Sequence, residues 1–245
     1  MPDHVPLRVR VATYNVLDPG FGTGEPWDAR RNNVAKTIVG SGAAIVCLQE
    51  AGFTPLARRL GIPADLAELT GMRLTASADN GVTFLYDPAA WQPGGHGSFL
   101  LSRSRGDHRR SAVWQVFVHE DGTRMLVVGT HLTYVPGNHR ARARQARVVA
   151  SRVRRLNRVG LPVIVLGDFN SWVARAGVTP VSVFARAGLR EALADGIARL
   201  DHIVVSPTIE VERAGVEDPV LSGTASDHHL VWADLLVRVG VPHDR

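Results

Sequence analysis

Short segments in which apolar and polar residues alternate recur along this chain, and a period of two is typical of strands with one buried face. Residues 7–13 alternate in this way. Residues 43–48 and 163–166 are wholly apolar, as expected for strands that are covered on both faces. The same patterns predict further strands at 82–86, 98–101, 112–119, 124–130, 202–205 and 229–237.

Apolar positions three and four residues apart predict helices between these strands. The predicted helices cover residues 28–39 with Asp28 as the N-cap, 54–69 with a break near Gly61, 138–159 and 181–187. Strands outnumber helices, and no linker, repeat or low-complexity segment divides the sequence. We therefore expect a single domain of mixed α and β structure over residues 1–245.

Composition and charge narrow the class of protein. Hydrophobic residues make up 45% of the 245 positions and charged residues 21%, which favours a folded globular chain. The net charge is +5, which favours an anionic partner, either nucleic acid or a phosphate ester. No apolar run reaches the ~20 residues that span a bilayer. The N-terminus does not resemble a signal peptide and Cys47 is the single cysteine, so we expect a cytoplasmic protein.

Polar side chains with metal-binding or acid–base chemistry stand at the ends of the apolar runs. Asn15 and Glu50 follow the first two predicted strands, Asp168 and Asn170 follow residues 163–166, and Asp227 precedes the last strand. Oxygen ligands of this kind suit a hard divalent cation, and a buried carboxylate suits a general base. Taken singly, each has an ordinary explanation as a helix N-cap, an Asx-turn or a surface acid. Together they predict hydrolysis of a phosphate ester.

Histidines at two strand ends, and an aspartate at a third, extend this set. His228 and His229 are neighbours before the last strand, and alternation should send only one of them into the site. Asp201 precedes strand 202–205 and is placed to orient the imidazole of residue 228. His131 ends strand 124–130, where a histidine either contacts a substrate or simply packs.

Six motifs in a fixed order resemble the endonuclease/exonuclease/phosphatase superfamily, and together they extend over residues 15–228. They are Thr13-Tyr14-Asn15, Leu48-Gln49-Glu50, Thr130-His131-Leu132, Gly167-Asp168-Phe169-Asn170, Leu200-Asp201-His202-Ile203 and Ser226-Asp227-His228. The resemblance implies a four-layered αββα sandwich, in which two mainly antiparallel sheets are flanked by helices and the site lies at one end.

The resemblance also implies a role for each motif residue. Glu50 resembles the principal ligand of Mg²⁺, with Mn²⁺ as a plausible substitute, and Asn15 and Asp227 lie nearby. Asp168 looks like the residue that orients or deprotonates water, and Asn170 like a residue that positions the phosphate. His228, paired with Asp201, looks like the imidazole that stabilises the transition state. His131 matches a histidine found on the deoxyribonuclease I side of the superfamily, although Tyr134 offers a shifted alignment with the repair nucleases.

The substrate is less well defined by the sequence. Helix 138–159 carries eight arginines and no acid, and two interpretations stay open, a track for nucleic acid and a solvated face. Arg140, at the start of that helix, and Arg110 are candidate substrate-binding residues. The leading hypothesis is a metal-dependent nuclease that cleaves DNA, with no obligate protein partner. The alternatives are a phosphatase or phosphodiesterase for a small or lipid-derived phosphate, and a nucleic-acid-binding protein without turnover.

Overall fold

The structure is a computed structural model that describes residues 6–21, 24–172, 177–193, 200–217 and 225–238. Its first sheet has six strands, which in spatial order are β11 (Ile209–Val216), β12 (Val231–Val237), β1 (Leu7–Asn15), β2 (Ile45–Gln49), β4 (Val82–Tyr86) and β3 (Arg73–Asp79). Its second sheet also has six, which are β5 (Trp91–Leu100), β6 (Ser111–His119), β7 (Arg124–His131), β8 (Val163–Asp168), β10 (Asp201–Val205) and β9 (Arg190–Glu191).

Each sheet contains one parallel pair, β1 with β2 and β7 with β8, and the remaining neighbours are antiparallel. The prediction of two mainly antiparallel sheets is therefore confirmed. A parallel pair brings the carboxyl ends of its two strands to the same edge of the sheet. Both parallel pairs lie near the middle of their sheets, and the site is built at their carboxyl ends.

Helices cover the outer face of each sheet. They are α1 (Trp27–Ser41), α2 (Pro55–Leu60), α3 (Ile62–Thr70), α4 (His139–Leu156) and α5 (Pro180–Arg186). Apolar residues of α1, α2 and α3 pack on the first sheet, and those of α4 and α5 pack on the second. The result is the expected αββα sandwich. None of these described helices is long and apolar enough to cross a membrane.

Strand alternation explains how the layers join. In β8, Ile164 and Leu166 enter the core between the sheets, whereas Val163 and Val165 pack under the helices. The sheets approach closely at Gly129, where a Cβ would lie 2.5 Å from the Cys47 sulfur. A side chain at position 129 would therefore force the two sheets apart.

Most of the predicted elements are confirmed, with shifted ends. The break in segment 54–69 is Gly61, whose φ of +63° separates α2 from α3. The prediction of Asp28 as an N-cap is wrong, because α1 begins at Trp27 after Pro26 and no side chain caps it. Strands β3, β9 and β11 were not predicted, and β5 begins seven residues before the predicted 98. All four are edge strands.

Candidate active site

Strand register brings five of the predicted residues to one end of the sandwich. Asn15 pairs with Gln49 at the carboxyl ends of β1 and β2, so that Glu50 follows directly. In the second sheet His131 pairs with Asp168, and Asp168 also lies opposite Asp201 at the start of antiparallel β10. Register aligns these residues within each sheet, and the packing of the two sheets then brings Asn15 within hydrogen-bond distance of Asp168.

A cavity of about 370 Å³ opens at this end. Seven of the predicted site residues line it, namely Glu50, Arg110, His131, Asp168, Asn170, Asp227 and His228. Asn15 and Asp201 lie behind them and hydrogen-bond to members of the lining. Arg140 lies outside this cavity and lines a neighbouring one with Ser171 and Thr179. Of the histidine pair, His228 faces the cavity, and His229 is not part of its lining.

Backbone strain is concentrated around the cavity. Among the described residues four non-glycine positions have positive φ, which are Leu17 (56°), Glu50 (61°), Asn80 (48°) and Asn170 (50°). All four line the same cavity. Such conformations cost roughly 1–3 kcal/mol each and persist where the surrounding structure imposes them, most often at functional sites.

His228 and Asp201 form a short ion pair. The Nδ1 atom of His228 lies 2.6 Å from Asp201 Oδ2, and its Nε2 atom lies 3.8 Å from Asp168 Oδ2. Burial lowers the pKa of His228, but the charge and hydrogen bond of Asp201 and the charge of Asp168 outweigh burial and raise it to about 10. His228 is therefore held as an imidazolium at neutral pH.

Asp168 is buried and accepts several hydrogen bonds. Its Oδ1 accepts from the Asn170 backbone N–H at 2.7 Å, and its Oδ2 accepts from Asn15 Nδ2 at 3.2 Å. Burial and the charge of Asp201 raise its pKa to about 7, against the opposing effect of His228. A carboxylate with a pKa in this range can accept a proton from water near neutral pH.

His131 approaches the same carboxylate from another side. Its Nε2 lies 3.3 Å from Asp168 Oδ2. Burial, followed by the charge of Arg110, holds the pKa of His131 well below its usual range, so the ring is neutral. Tyr134, the residue that the shifted alignment would use, also lines the cavity but is 55% exposed.

Glu50 supplies the oxygens on the side of the first sheet. Its Oε1 accepts from Asn15 Nδ2 and its Oε2 from the Asp18 backbone N–H, each at 3.0 Å. Asn15 Nδ2 is shared between Glu50 and Asp168, so one amide fixes both carboxylates. Asp227 lines the cavity with them. These oxygen donors fit a hard divalent cation.

A second group could hold a metal by geometry alone. Ligand atoms of Asp168, Asp201 and His228 lie within 4.8 Å of one another. However, both nitrogens of His228 face carboxylates, and an imidazolium has no lone pair for a metal. The carboxylates of Glu50 and Asp227, which both line the cavity, therefore fit a cation better. The amide oxygen of Asn15, the third predicted ligand, accepts from the Leu17 backbone N–H at 3.1 Å.

Arg110 reaches the cavity because a buried acid holds it. Asp107 has a fully buried side chain. Its Oδ2 accepts a hydrogen bond from Arg110 Nε at 3.0 Å, and its Oδ1 lies 3.0 Å from His108 Nδ1. No hydrogen bond joins the two terminal nitrogens of Arg110 to the described residues, and the guanidinium lines the cavity beside His131. The ring of His108 in turn stacks on Phe53, with centroids 3.9 Å apart.

Sequence reasoning did not identify Arg30 or Asp107. Arg30 is 2% exposed and donates to the backbone oxygens of Val16, Leu17, Glu25 and Ala225. It thereby joins the loop after β1 to the segment that carries Asp227. A signal was present, because Arg30 falls on the buried stripe of α1 with Val34 and Ile38. No comparable pattern marks Asp107.

Comparison with known proteins agrees with this geometry. The sequence model of the endonuclease/exonuclease/phosphatase family matches residues 12–228, so the chain belongs to that family and is an enzyme of the phosphoesterase type. A search of curated proteins gave no match.

Solved structures share the fold at low sequence identity. A family member from Bacteroides thetaiotaomicron is 22% identical with a TM-score of 0.77, over 96% of this chain and 100% of that one. A mannosyl-6-phosphatase from the same species is 22% identical with a TM-score of 0.76, over 93% and 99%. The catalytic domain of human Nocturnin is 20% identical with a TM-score of 0.72, over 94% and 95%.

Proposed function

We propose that this protein is a divalent-metal-dependent nuclease that cleaves DNA phosphodiester bonds by in-line attack of water. The observation that carries the proposal is the environment of Asp168. This buried carboxylate is held by Asn15 and Asn170, while the His228–Asp201 pair faces it at 3.8 Å. A proton acceptor and a fixed positive charge thus lie next to each other in the wall of the cavity.

Glu50, Asn15 and Asp227 are the residues that would hold the cation, with Mg²⁺ as the expected metal and Mn²⁺ as a substitute. A bound divalent ion would supply positive charge beside the phosphate oxygens. The bonds that Glu50 receives from Asn15 and Asp18 fix the carboxylate while leaving other lone pairs available.

The protein side chains divide the remaining work. The water oxygen forms a bond to phosphorus while its proton passes to the Asp168 carboxylate. The bond to the leaving oxygen breaks on the opposite side, and that oxygen keeps the electron pair and takes a proton from solvent. His228, held as an imidazolium by Asp201, donates to a phosphate oxygen as negative charge develops. Asn170, which lines the cavity, positions the phosphate, and neutral His131 fixes the Asp168 carboxylate from its other side.

Charge supports DNA as the substrate. The net charge is +5. The buried Arg110 guanidinium lies over the ring of Tyr134, and its terminal nitrogens form no hydrogen bond with the described residues, so it is a suitable ligand for a phosphodiester oxygen. Arg140 lies just beyond the cavity and would contact a phosphate further along the DNA strand.

A phosphatase or phosphodiesterase for a small or lipid-derived phosphate is the second candidate. Phe21, Phe53 and the His108 ring stack in series at the cavity, with successive centroids 5.8 and 3.9 Å apart. Such an aromatic wall around about 370 Å³ suits the body of a compact ester. The similarity to a mannosyl-6-phosphatase is compatible with this candidate. Membership of a phosphoesterase family argues against a binding protein without turnover.

The test is hydrolysis with matched substrates. Purified protein is incubated with Mg²⁺ or Mn²⁺ and supercoiled plasmid, and separately with a chromogenic phosphodiester and a chromogenic phosphomonoester. Glu50→Ala is the inactive variant, and Glu68→Ala, on the surface of α3, is the matched control. Nicking that Glu50→Ala abolishes and Glu68→Ala retains supports the nuclease. If the plasmid stays intact and a small ester is hydrolysed by the wild type but not by Glu50→Ala, the second candidate function would be supported in place of the nuclease.

A further inference from the structure

We propose that a groove between α4 and α5 binds one strand of a nucleic acid that continues out of the catalytic cavity, a proposal that rests on the proposed nuclease function. The α4–α5 groove consists of two adjoining cavities of about 700 and 720 Å³ that share Arg147. It lies on the outer face of the second sheet. The sequence indicated the arginines of α4 but not the second wall, which α5 provides.

The groove is basic and its charge is uncompensated. Five exposed arginines line it, which are Arg140, Arg144, Arg147, Arg154 and Arg186. No carboxylate occurs among the described residues of its lining. None of the five side chains forms an ion pair or hydrogen bond within the described part of the chain. Uncompensated guanidinium groups along one surface are expected to attract an extended anion.

The dimensions fit a single strand. Arg140 and Arg154 are fourteen residues apart on one helix, or about 21 Å along its axis. This length corresponds to about six phosphates at the ~3.4 Å spacing of one strand in B-form DNA, and to fewer in an extended strand. Packed helices have axes about 8–10 Å apart, so a furrow along the surface of the α4–α5 seam is comparable in width to one strand and narrower than a duplex.

The groove begins where the catalytic cavity ends. Asn170 lines the catalytic cavity and Ser171 lines the groove, and the same transition occurs between Tyr134 and Gly137. A strand that leaves the site past either segment would meet Arg140 first. The described lining contains no phenylalanine, tyrosine or tryptophan, so binding is expected to follow the charge of the backbone without base stacking.

The test compares two triple variants with the same change of net charge. The groove variant is Arg144→Gln, Arg147→Gln and Arg154→Gln. The control is Arg59→Gln, Arg124→Gln and Arg155→Gln, three exposed arginines that do not line the groove. Binding of a fluorescein-labelled single-stranded DNA of 20 nucleotides is measured by anisotropy in EDTA at several salt concentrations. Turnover of the same DNA and of a chromogenic phosphodiester is measured with metal.

The groove variant is expected to bind the 20-mer at least tenfold more weakly at low salt than the control does. The slope of the logarithm of the binding constant against the logarithm of the salt concentration should become shallower by about 2. Three contacts are removed, and each phosphate contact on a single strand contributes ~0.7 to this slope. The kcat/KM of the groove variant should fall at least tenfold more for the 20-mer than for the chromogenic ester. Equal losses in the two triple variants would overturn the proposal. Co-sedimentation of both variants with vesicles of phosphatidylcholine and phosphatidylserine tests the other polyanion, and a groove variant that lost vesicle binding but kept DNA binding would also overturn it. Failure of the wild type to cleave any diester would instead refute the proposed nuclease function. DNA binding is measured in EDTA, without turnover, so it tests the groove independently of that function.

Discussion

Asp201 Oδ2 lies 2.6 Å from His228 Nδ1, and the strand that carries Asp201 pairs it directly with Asp168. One carboxylate thereby orients the imidazole, and the imidazole turns its other nitrogen toward the second carboxylate at 3.8 Å. The proposed mechanism depends on this geometry, because it keeps a positive charge next to the residue that accepts the proton.

His228→Ala should lower kcat by about 10²–10³-fold, because it removes a preorganised donor to the transition state. KM should change much less. The matched control is His229→Ala, since His229 follows in sequence but does not line the cavity. Steady-state kinetics on the best substrate measure both. Similar losses in the two variants would contradict the assignment of His228.

Asp168→Asn should lower kcat by about 10²–10⁴-fold, which is the usual contribution of a general base. The amide keeps the size of the side chain but cannot take the proton of the attacking water. Substrate binding should persist, so a catalytically inactive complex should be measurable by titration calorimetry. If Asp168→Asn retained more than about a tenth of wild-type kcat, another residue would have to be the base.

Removal of the metal with EDTA should abolish turnover, and Mg²⁺ should restore it. A bound ion also stabilises the folded state by mass action, so Mg²⁺ should raise the Tm of the wild type. Glu50→Gln should lose both the activity and this rise in Tm. Glu68→Gln, on the surface of α3, should keep both. A full Mg²⁺-induced shift in Glu50→Gln would place the ion elsewhere.

Arg30→Gln should reduce the free energy of unfolding by at least about 3 kcal/mol, because it leaves several buried carbonyl groups without a donor. For a chain of this size the Tm should fall by about 6–12 °C. The neighbouring Arg31→Gln removes only a partly exposed pair with Asp65 and should cost less than about 1 kcal/mol. Thermal denaturation gives the Tm of each variant. Equal Tm values would show that Arg30 does not join the loop after β1 to the segment that carries Asp227.

Asp107 should make the stability depend on pH in the acid range. Burial raises the pKa of Asp107, but the interactions with His108, Arg110 and Thr133, together with the charge of Arg110, outweigh burial and hold it well below the usual range. A carboxylate with a depressed folded-state pKa stabilises the protein above its unfolded pKa of about 3.9, and this stabilisation is lost as the pH falls below that value. The difference in unfolding free energy between wild type and Asp107→Asn should therefore be largest near pH 7 and shrink below about pH 4. A constant difference between pH 7 and pH 3 would exclude this linkage.

The central strands were visible in the sequence and the edge strands were not. The central strands β1, β2, β7 and β8 are either covered on both faces or buried on one face. Burial therefore requires apolar residues at regular positions, and the sequence shows this pattern. The strands that were missed or shortened, β3, β5, β9 and β11, are the four sheet edges. An edge strand pairs on one side only and tolerates charged residues, glycine and proline, as Pro93 in β5 illustrates.

The sequence by itself determined the types of residue at the site, because a carboxylate, amide or imidazole next to an apolar run is expected at the end of a strand. It also determined the order of the motifs and the excess of arginine. Only the tertiary structure decided which histidine of the pair faces the cavity, which acid holds Arg110, and that α5 completes the groove beside α4. The tertiary structure also decided the raised pKa of Asp168, since burial and the charge of Asp201 cause it. Each of these depends on distances between segments far apart in sequence, and strand register and packing set those distances.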